Sequence, residues 1–171
     1  MTVHQLQQQE GVLMDTNLLL LYSVGRYDPN LIPRFTTRLS RYDVEDYQLL
    51  RQFIGLFRKV ITTPHVLTET INLIDKKSGR YSPVLSRLAS EVAIFDERYV
   101  SAADIIAKNG HYLSTFGLTD LVLCELAQQS VVILTDDGAV GSLITGKKGL
   151  VLNFGQLRDL LIQKKPPGRR R

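Results

Sequence analysis

The stretch GVLMDTN, residues 11–17, decides the fold of this chain. Its first four residues are small or apolar and have the length of a buried strand, and its last three are polar residues that often precede a helix. An apolar run, 18–24, follows at once, so that Asp15, Thr16 or Asn17 can cap a helix there. A buried strand that leads directly into a helix is typical of a parallel α/β sheet.

The rest of the chain repeats this alternation of short apolar strands and helices, which predicts an α/β protein with a mainly parallel central sheet between helices. Residues 25–33 contain Gly, Asp, Asn and two Pro, and we expect a loop there. Further strands are predicted at 60–62, 92–95, 131–135 and 150–154, and helices at 43–57, from Pro64 up to Ser78, at 83–90, 101–108, 118–127 and 156–163.

Charge and composition divide the chain into a body and two ends. We expect one domain over residues 11–163, between a flexible N-terminal segment, residues 1–10, and a basic flexible tail, residues 164–171. The net charge of the 171 residues is +4, but residues 147–171 carry eight basic side chains and one acidic side chain, so the body is mildly acidic. The tail can bind RNA phosphates through charge alone, and its candidate residues are Lys164, Lys165, Arg169, Arg170 and Arg171.

Several classes of protein are excluded by composition. The single cysteine, Cys124, rules out an internal disulfide framework and a cysteine-rich zinc site. The most apolar early run is interrupted by Asp15 and Asn17 and is shorter than the roughly 20 apolar residues of a membrane span. Residues 1–10 are polar and lack the basic start of a signal peptide, so we expect a cytoplasmic protein that does not enter a membrane.

Acidic side chains follow several of the predicted strands. Asp15 ends the first strand, Asp136 and Asp137 end the strand at 131–135, Glu69 lies on the helix after the second strand, and Asp120 begins a helix. If these strands are neighbours in a parallel sheet, the acids converge on one edge. Clustered carboxylates repel one another unless a proton or a cation offsets the charge, and without nearby Cys or His ligands they favour hard cations such as Mg²⁺ or Mn²⁺.

The order of these acids resembles a known family. Residues 12–17 resemble the opening of a PIN domain, which is an apolar strand, an aspartate, a small residue and an asparagine. Residues 63–70 with Glu69, 118–127 with Asp120 and 133–137, a strand followed by Thr-x-Asp, are similar to the second, third and fourth acidic motifs. The resemblance covers about residues 11–155 and implies a three-layer α/β/α fold.

The resemblance also implies an activity, which is metal-dependent hydrolysis of single-stranded RNA with Mg²⁺ or Mn²⁺, often as the toxin of a VapC-like toxin–antitoxin pair. The Thr-x-Asp pattern selects Asp137 as the fourth acid, although the adjacent Asp136 can share or replace its role. Asn17 and Thr135 match polar residues that help to set the site. The acids implied to be catalytic and to bind the metal are Asp15, Glu69, Asp120 and Asp137.

Several alternatives remain open at the level of sequence. The chain is longer than compact toxins, with extra sequence around 25–45 and 75–115, so a role in RNA processing stands beside the toxin role, and a second copy and an antitoxin are the protein partners that the family suggests. Two rival functions are a non-catalytic PIN-like scaffold that binds RNA or protein, and a phosphatase with Asp15 as nucleophile, whose Asp-x-Asp motif needs Asp where this chain has Asn17. His65 lies one helical turn before Glu69 and can face the site, although most such histidines lie at the surface or the edge of the core.

Overall fold

The computed structural model describes residues 3–35, 38–74 and 82–164, and its centre is a parallel sheet. Five strands pair in the order β3-β2-β1-β4-β5, and every pair is parallel. Helices flank the sheet on both sides, which confirms the predicted three-layer α/β/α fold. The strands are β1 (Gly11–Met14), β2 (Val60–Thr62), β3 (Asp96–Glu97), β4 (Val131–Thr135) and β5 (Val151–Asn153).

The described helices connect the strands and add a layer around the helix that follows β1. Two 3-10 turns, Pro29–Leu31 and Gly110–Tyr112, lie between them. The helices are α1 (Val3–Gln7), α2 (Thr16–Tyr27), α3 (Ile32–Phe35), α4 (Val44–Ile54), α5 (Pro64–Leu73), α6 (Ser82–Val92), α7 (Ala102–Asn109), α8 (Leu113–Ala127), α9 (Gly138–Gly146) and α10 (Phe154–Lys164).

Polar caps begin the helices where the sequence predicts them. Asp15 caps α2, and Asp43 forms a capping box with Asp46 at the start of α4. The hydroxyl of Thr63 caps α5, and Pro64 occupies its first turn, where a missing N–H costs nothing. Each cap satisfies a backbone N–H that the helix itself leaves unpaired, so the helix starts are determined by local sequence.

The order of the strands defines one special position at the edge of the sheet. From β1 the chain builds outward through β2 to β3, and then crosses to the other side of β1 to form β4 and β5. The strand order therefore reverses between β1 and β4, and the crevice beyond their carboxyl ends is where open α/β sheets bind ligands. Asp15 leaves β1 at this point, and its N–H donates to the carbonyl oxygen of Leu134 at 3.0 Å.

The core lies on both faces of β1 and β4 and along α2, which is buried from Leu18 to Gly25. Helix α2 is enclosed because α4, α5 and α6 all pack against it. Gly25 permits the contact with α4, since a Cβ atom at this position would lie 2.3 Å from the ring of Tyr47. The apolar run after Asp15 is thus a central helix of the domain, which explains why it carries so few polar residues.

Some elements differ from the sequence-based predictions. The loop predicted at 25–33 is wrong, because α2 continues to Tyr27 and is followed by a 3-10 turn and α3. The strand predicted at 92–95 is also misplaced, because α6 ends at Val92 and β3 comprises Asp96–Glu97. Helical structure begins at Leu113, before the predicted 118, and is kinked at Gly117, whose φ of 78° is easily adopted only by glycine.

The two ends of the chain are described only in part. Within the segment 1–10, for which the sequence predicts flexibility, Val3–Gln7 forms α1 and Leu6 is buried against the core. At the other end, Lys164 is the last residue of α10, and residues 165–171 lie outside the described part, as do residues 75–81 of the second extra segment. Among the helices of the described ranges, none has both the length and the apolar character needed to cross a membrane.

Candidate functional site

Asp15 is held at the carboxyl end of β1 by three hydrogen bonds. Its Oδ1 accepts from the backbone N–H of Leu18 at 2.8 Å, which caps α2. Its Oδ2 accepts from the hydroxyl of Thr135 and, at 3.3 Å, from the N–H of Asp136. The residue is only 6% exposed, so that its carboxylate is fixed between the end of β1 and the end of β4.

Thr135 connects this carboxylate to the next acid. It is fully buried at the end of β4, where its hydroxyl donates to Asp15 and accepts from the N–H of Asp137 at 3.0 Å. Asp137 is exposed, and its Oδ1 caps α9 by accepting from the N–H groups of Ala139 and Val140. The Thr-x-Asp pattern therefore builds a turn that ties the two strand ends together through one hydroxyl.

Asp120 faces the other acids from α8, three residues after the kink at Gly117. Its pKa is raised to about 7, chiefly by burial and then by the charges of Asp137, Glu69 and Asp15, in that order of importance. Among the described residues, no side chain forms a hydrogen bond or an ion pair with Asp120. The four predicted acids are therefore close enough to share one electrostatic environment, as the sequence indicated.

The pKa of Asp15 shows the same excess of negative charge. This pKa is raised to about 6, because burial, the largest cause, and the neighbouring charge of Asp136 outweigh the opposing hydrogen bonds from Thr135, Leu18 and the N–H of Asp136. A carboxylate that accepts three hydrogen bonds ordinarily has a lowered pKa. Desolvation and repulsion prevail over these bonds at Asp15, so the site would be stabilised by a cation.

Asp136 differs from its neighbour Asp137 in its partners. Its Oδ2 forms an ion pair with Arg41 and accepts a hydrogen bond from the hydroxyl of Tyr42, whereas its Oδ1 is buried and has no hydrogen-bond partner within the described ranges. Desolvation together with this hydrogen bond raises the pKa of Tyr42 above its usual value, so the phenol stays protonated and donates. Asp137 approaches Asp120, and Asp136 approaches Asp15, so both acids belong to the site in different positions.

Arg41 and Tyr42 are functional-site residues that the sequence analysis did not identify. They lie in the segment between α3 and α4, more than 90 residues before Asp136, and no motif spacing links them to it. The same segment carries Arg38, whose Nη1 donates to Oδ1 of Asn17 at 3.4 Å. This part of the predicted extra segment 25–45 therefore places basic side chains beside the acids and gives Asn17 a contact at the rim of the site.

Glu69 lies at the other side of the site, in a cleft between α5 and α8. The cleft has a volume of about 430 Å³ and is open to solvent. It is lined by His65, Thr68 and Asn72 on the same helix, and by Leu118 and Thr119, which directly precede Asp120. His65 and Glu69 thus face the same cleft, although most histidines at such positions lie at the surface or the edge of the core.

The donor set suits a hard cation by its chemistry. All four acids provide carboxylate oxygens, which Mg²⁺ and Mn²⁺ prefer, and Asp136 adds a buried oxygen that has no partner among the described residues. In the ranges 3–35, 38–74 and 82–164, however, no three His, Cys, Asp or Glu side chains are grouped so that they could hold one metal ion together. Mg²⁺ usually retains several waters and binds one or two carboxylates directly, so the residues fit such an ion without a closed cage.

The predicted RNA-binding tail is not part of this geometry. Lys164 ends α10, and Lys165, Arg169, Arg170 and Arg171 lie outside the described residues. The other predicted residues lie around the carboxyl ends of β1 and β4. They are the acids Asp15, Glu69, Asp120 and Asp137 and the supporting residues Asn17, Thr135 and Asp136.

No family model, curated protein or solved structure matches the chain.

Proposed function

We propose that this protein is a PIN-like, metal-dependent endoribonuclease that hydrolyses phosphodiester bonds of single-stranded RNA. The observation that carries the proposal is the environment of Asp120, a half-buried carboxylate that faces Asp137, Glu69 and Asp15 without a cationic partner in the described structure. Two unit charges 4 Å apart cost about 4 kcal/mol at an effective dielectric constant of 20. A fold that retains such an arrangement is expected to use it with a cation.

The location of the acids supports the same proposal. They surround the crevice between β1 and β4, where the strand order reverses and where sheets of this type bind substrates. Asp15 and Asp120 would hold Mg²⁺ or Mn²⁺, Asp137 would contact it directly or through water, and Glu69 would contact it or orient the attacking water. When bound, such an ion acidifies a water molecule and offsets the charge on the phosphate.

The residues around these acids have separate tasks. Thr135 fixes the orientation of Asp15 by donating to its Oδ2, and Arg41 and Tyr42 hold Asp136 so that its charge is partly offset. Arg38, at the rim, is placed to bind a phosphate of the strand. We propose that the tail, residues 164–171, adds sequence-independent contacts to the RNA backbone. An unpaired strand is the preferred substrate because it can enter a narrow acidic crevice.

One rival is a PIN-like scaffold that binds RNA without cleaving it, and the cleavage assay described below separates it from the nuclease. The other rival, a phosphatase with Asp15 as nucleophile, is disfavoured, since both oxygens of Asp15 accept hydrogen bonds and the residue is 6% exposed. The proposal also includes a location in the cytoplasm and a protein partner, which is either a second copy or an antitoxin. Neither of them takes part in the chemistry of cleavage.

A cleavage assay tests the proposal. Purified protein is incubated with unstructured RNA in Mg²⁺, in Mn²⁺ and in EDTA, and we expect cutting in both metals and none in EDTA. Asp15→Asn is expected to lower the rate by at least about 100-fold, because it removes a charged ligand. Asp28→Asn is the matched control, since Asp28 also caps a helical turn but lies beyond the far end of α2. Cutting that persists in EDTA contradicts the metal mechanism, and RNA binding without cutting favours the scaffold.

A further inference from the structure

The cleft beside Glu69 is a second feature of the site, which the acids do not account for. It is bounded by α5 and by the start of the second half of α8, so it adjoins the crevice on the side of Glu69 and Asp120. Its volume of about 430 Å³ lies within the 300–1,000 Å³ that is usual for ligand pockets. A group that enters it would lie next to the bond that the acids are placed to cleave.

The lining of this cleft combines apolar surface with hydrogen-bonding groups. Pro64 and Leu118 supply apolar surface, Thr68, Asn72 and Thr119 supply hydroxyl and amide groups, and Glu69 supplies a carboxylate. No lysine or arginine of the described ranges lines it, in contrast to the rim at Arg38 and Arg41 on the other side of the acids. With one carboxylate and no basic side chain, the described lining disfavours a phosphate and suits a flat group without negative charge whose edges donate and accept hydrogen bonds.

His65 gives an independent reason to regard the cleft as a binding site. Its Nδ1 is buried and has no hydrogen-bond partner within the described part of the chain. A histidine that serves only packing normally has its buried nitrogen satisfied by the fold, because an unpaired buried polar atom costs about 1–3 kcal/mol. His65 is half-buried and lines the cleft, where its ring can stack on a flat ligand.

We propose that this cleft binds one unpaired nucleobase of the RNA strand and that Asn72 selects adenine. This inference rests on the proposed function, because it places the base beside the acids that would cleave the strand. A carboxamide can donate to N7 and accept from N6 of adenine in one bidentate pair, whereas guanine is usually recognised by arginine or lysine, which the cleft lacks. Asn72 is exposed and lies one turn beyond Thr68 on α5, so its amide is free to meet the edge of a base.

The test compares the binding of two probes to the full chain. One probe is a fluorescein-labelled oligouridylate, and the other is the same oligomer with one central adenosine. Fluorescence anisotropy is measured in EDTA at low salt, so that no metal-dependent cleavage occurs and charge repulsion affects both probes equally. We expect the adenosine probe to bind about tenfold more tightly to the parent protein.

The variants decide whether Asn72 is responsible. Asn72→Ala is expected to lower the affinity for the adenosine probe about tenfold and so to abolish the difference between the two probes. Gln52→Ala is the control, since it removes an exposed carboxamide from α4, away from the cleft, and should keep the full difference. Thermal melting followed by circular dichroism verifies that both variants fold, as expected for exposed side chains. Equal affinities for the two probes, or a preference that survives in Asn72→Ala, overturn the proposal.

Failure of this proposal can be told apart from failure of the nuclease. Metal-dependent cleavage together with equal affinities for the two probes leaves the nuclease standing and removes the base site. A preference for adenosine that depends on Asn72, without cleavage in Mg²⁺ or Mn²⁺, keeps the base site and supports the scaffold instead.

Discussion

Glu91 and Asp120 are both carboxylates that the fold shields from water, but only one of them is neutralised. Glu91 is 3% exposed and accepts from Arg26 and Arg87, both at 2.9 Å, and from the hydroxyl of Tyr22 at 3.2 Å. Asp120 faces three other carboxylates, and within the described ranges it has no cationic partner. Within the described ranges, the charge of Glu91 is therefore compensated and the charge of Asp120 is not.

The difference in charge compensation distinguishes an acid with a structural role, Glu91, from the acids of the candidate site. The cluster at Glu91 joins α2 to α6, and the two arginines offset its charge, so it serves the packing of the outer helix. At the carboxyl ends of β1 and β4, no cationic side chain of the described ranges pairs with Asp15 or Asp120. Retaining such repulsion lowers stability, and sites that do so commonly bind a cation or a substrate.

Asp136 is intermediate between these two cases. Arg41 and Tyr42 offset its charge through Oδ2, while its Oδ1 is buried and unpaired within the described residues. The site is therefore neutralised on the side of the segment before α4, and the excess charge is concentrated on Asp15 and Asp120, whose pKa values are both raised. Substitutions in the two clusters should consequently change stability in opposite directions.

The largest effect is expected from Glu91→Gln. The amide keeps the shape but leaves Arg26 and Arg87 without a charged partner, and removing one member of a buried ion pair costs about 3–5 kcal/mol. Both arginines are about one-third exposed and can reach water, which reduces the expected loss to about 2–3 kcal/mol. For a domain of this size we expect a decrease in Tm of about 5–10 °C, measured by calorimetry at pH 7.

Glu97→Gln is the matched control for this prediction. Glu97 is exposed and accepts from the hydroxyl of Tyr99, so the same chemical change should shift Tm by no more than about 2 °C. Equal shifts in the two variants would contradict the view that the Glu91 cluster holds α6 in place.

A smaller effect of opposite sign is expected from Asp120→Asn. The native pKa of Asp120 is raised to about 7 by burial and by the other acids, so the folded state retains a proton that the unfolded state has already lost. Asp120 therefore makes the stability of the parent protein fall as pH rises from about 4 to about 7, and the variant lacks this contribution. Since Asp120 is partly exposed, we discount the effect to about 1 kcal/mol at pH 8, or about 2–4 °C in Tm.

The prediction is tested by melting the parent and Asp120→Asn in EDTA over a series of pH values, and the lowest pH serves as an internal control. At pH 4 the parent carboxyl is protonated in the native state, so the two proteins should melt within about 1 °C of each other. A variant that melts below the parent at pH 8 would show that Asp120 is a stabilising side chain, and the comparison with Glu91 would fail.

Added metal should also distinguish Asp120 from Glu91. A cation that binds only the folded state stabilises it by about 1.4 kcal/mol when present at ten times its Kd. We expect Mg²⁺ or Mn²⁺ to raise the Tm of the parent by about 3–6 °C and that of Asp120→Asn by clearly less. Glu91→Gln should keep the full response, because its acid lies outside the site. An unchanged response in Asp120→Asn would argue against a metal at these acids.

Local sequence determines the parts of the site that lie close together along the chain. Asp15 follows β1 and caps α2, and Thr135 and Asp137 follow β4, so strand, cap and turn can all be predicted from neighbouring residues. The parallel pairing of β1 with β4 then places Thr135 against Asp15. The ion pair of Arg41 with Asp136 depends on how a long insertion packs, and no local pattern encodes that.

The prediction of a loop at 25–33 failed for identifiable reasons. Gly25 interrupts the apolar pattern, but it lies inside α2 because the ring of Tyr47 occupies the place of a side chain. Pro29 and Pro33 are helix breakers in the interior of a helix, whereas here they lie in the first turns of short helical segments, where proline is tolerated. Whether such a glycine or proline interrupts a helix depends on its position within the helix, which the sequence alone does not specify.

The strand near residue 95 was misplaced because hydrophobicity was the wrong guide at the edge of the sheet. Val92 and Ile94 suggest a strand, yet β3 consists of Asp96 and Glu97, which pair with Ile61 and Thr62. Edge strands are often short and charged, since such residues discourage pairing with other chains. Charge at this position therefore marks the edge of the sheet rather than a loop.

The smallest effect is expected from Arg38→Gln, which tests whether the rim beside the acids binds phosphate. Within the described ranges Arg38 forms no ion pair, and its side chain donates a hydrogen bond to the side-chain oxygen of Asn17, so its charge remains available, unlike that of Arg41. Losing one phosphate contact should reduce the slope of log affinity for single-stranded RNA against log salt by about 0.7 and weaken binding a few-fold. Arg34→Gln, an exposed change on α3, should leave the slope unaltered. Anisotropy over a salt series in EDTA measures both variants. If the two slopes match that of the parent, the strand does not cross this rim, and the contacts must come from elsewhere, for example from the basic residues of the tail.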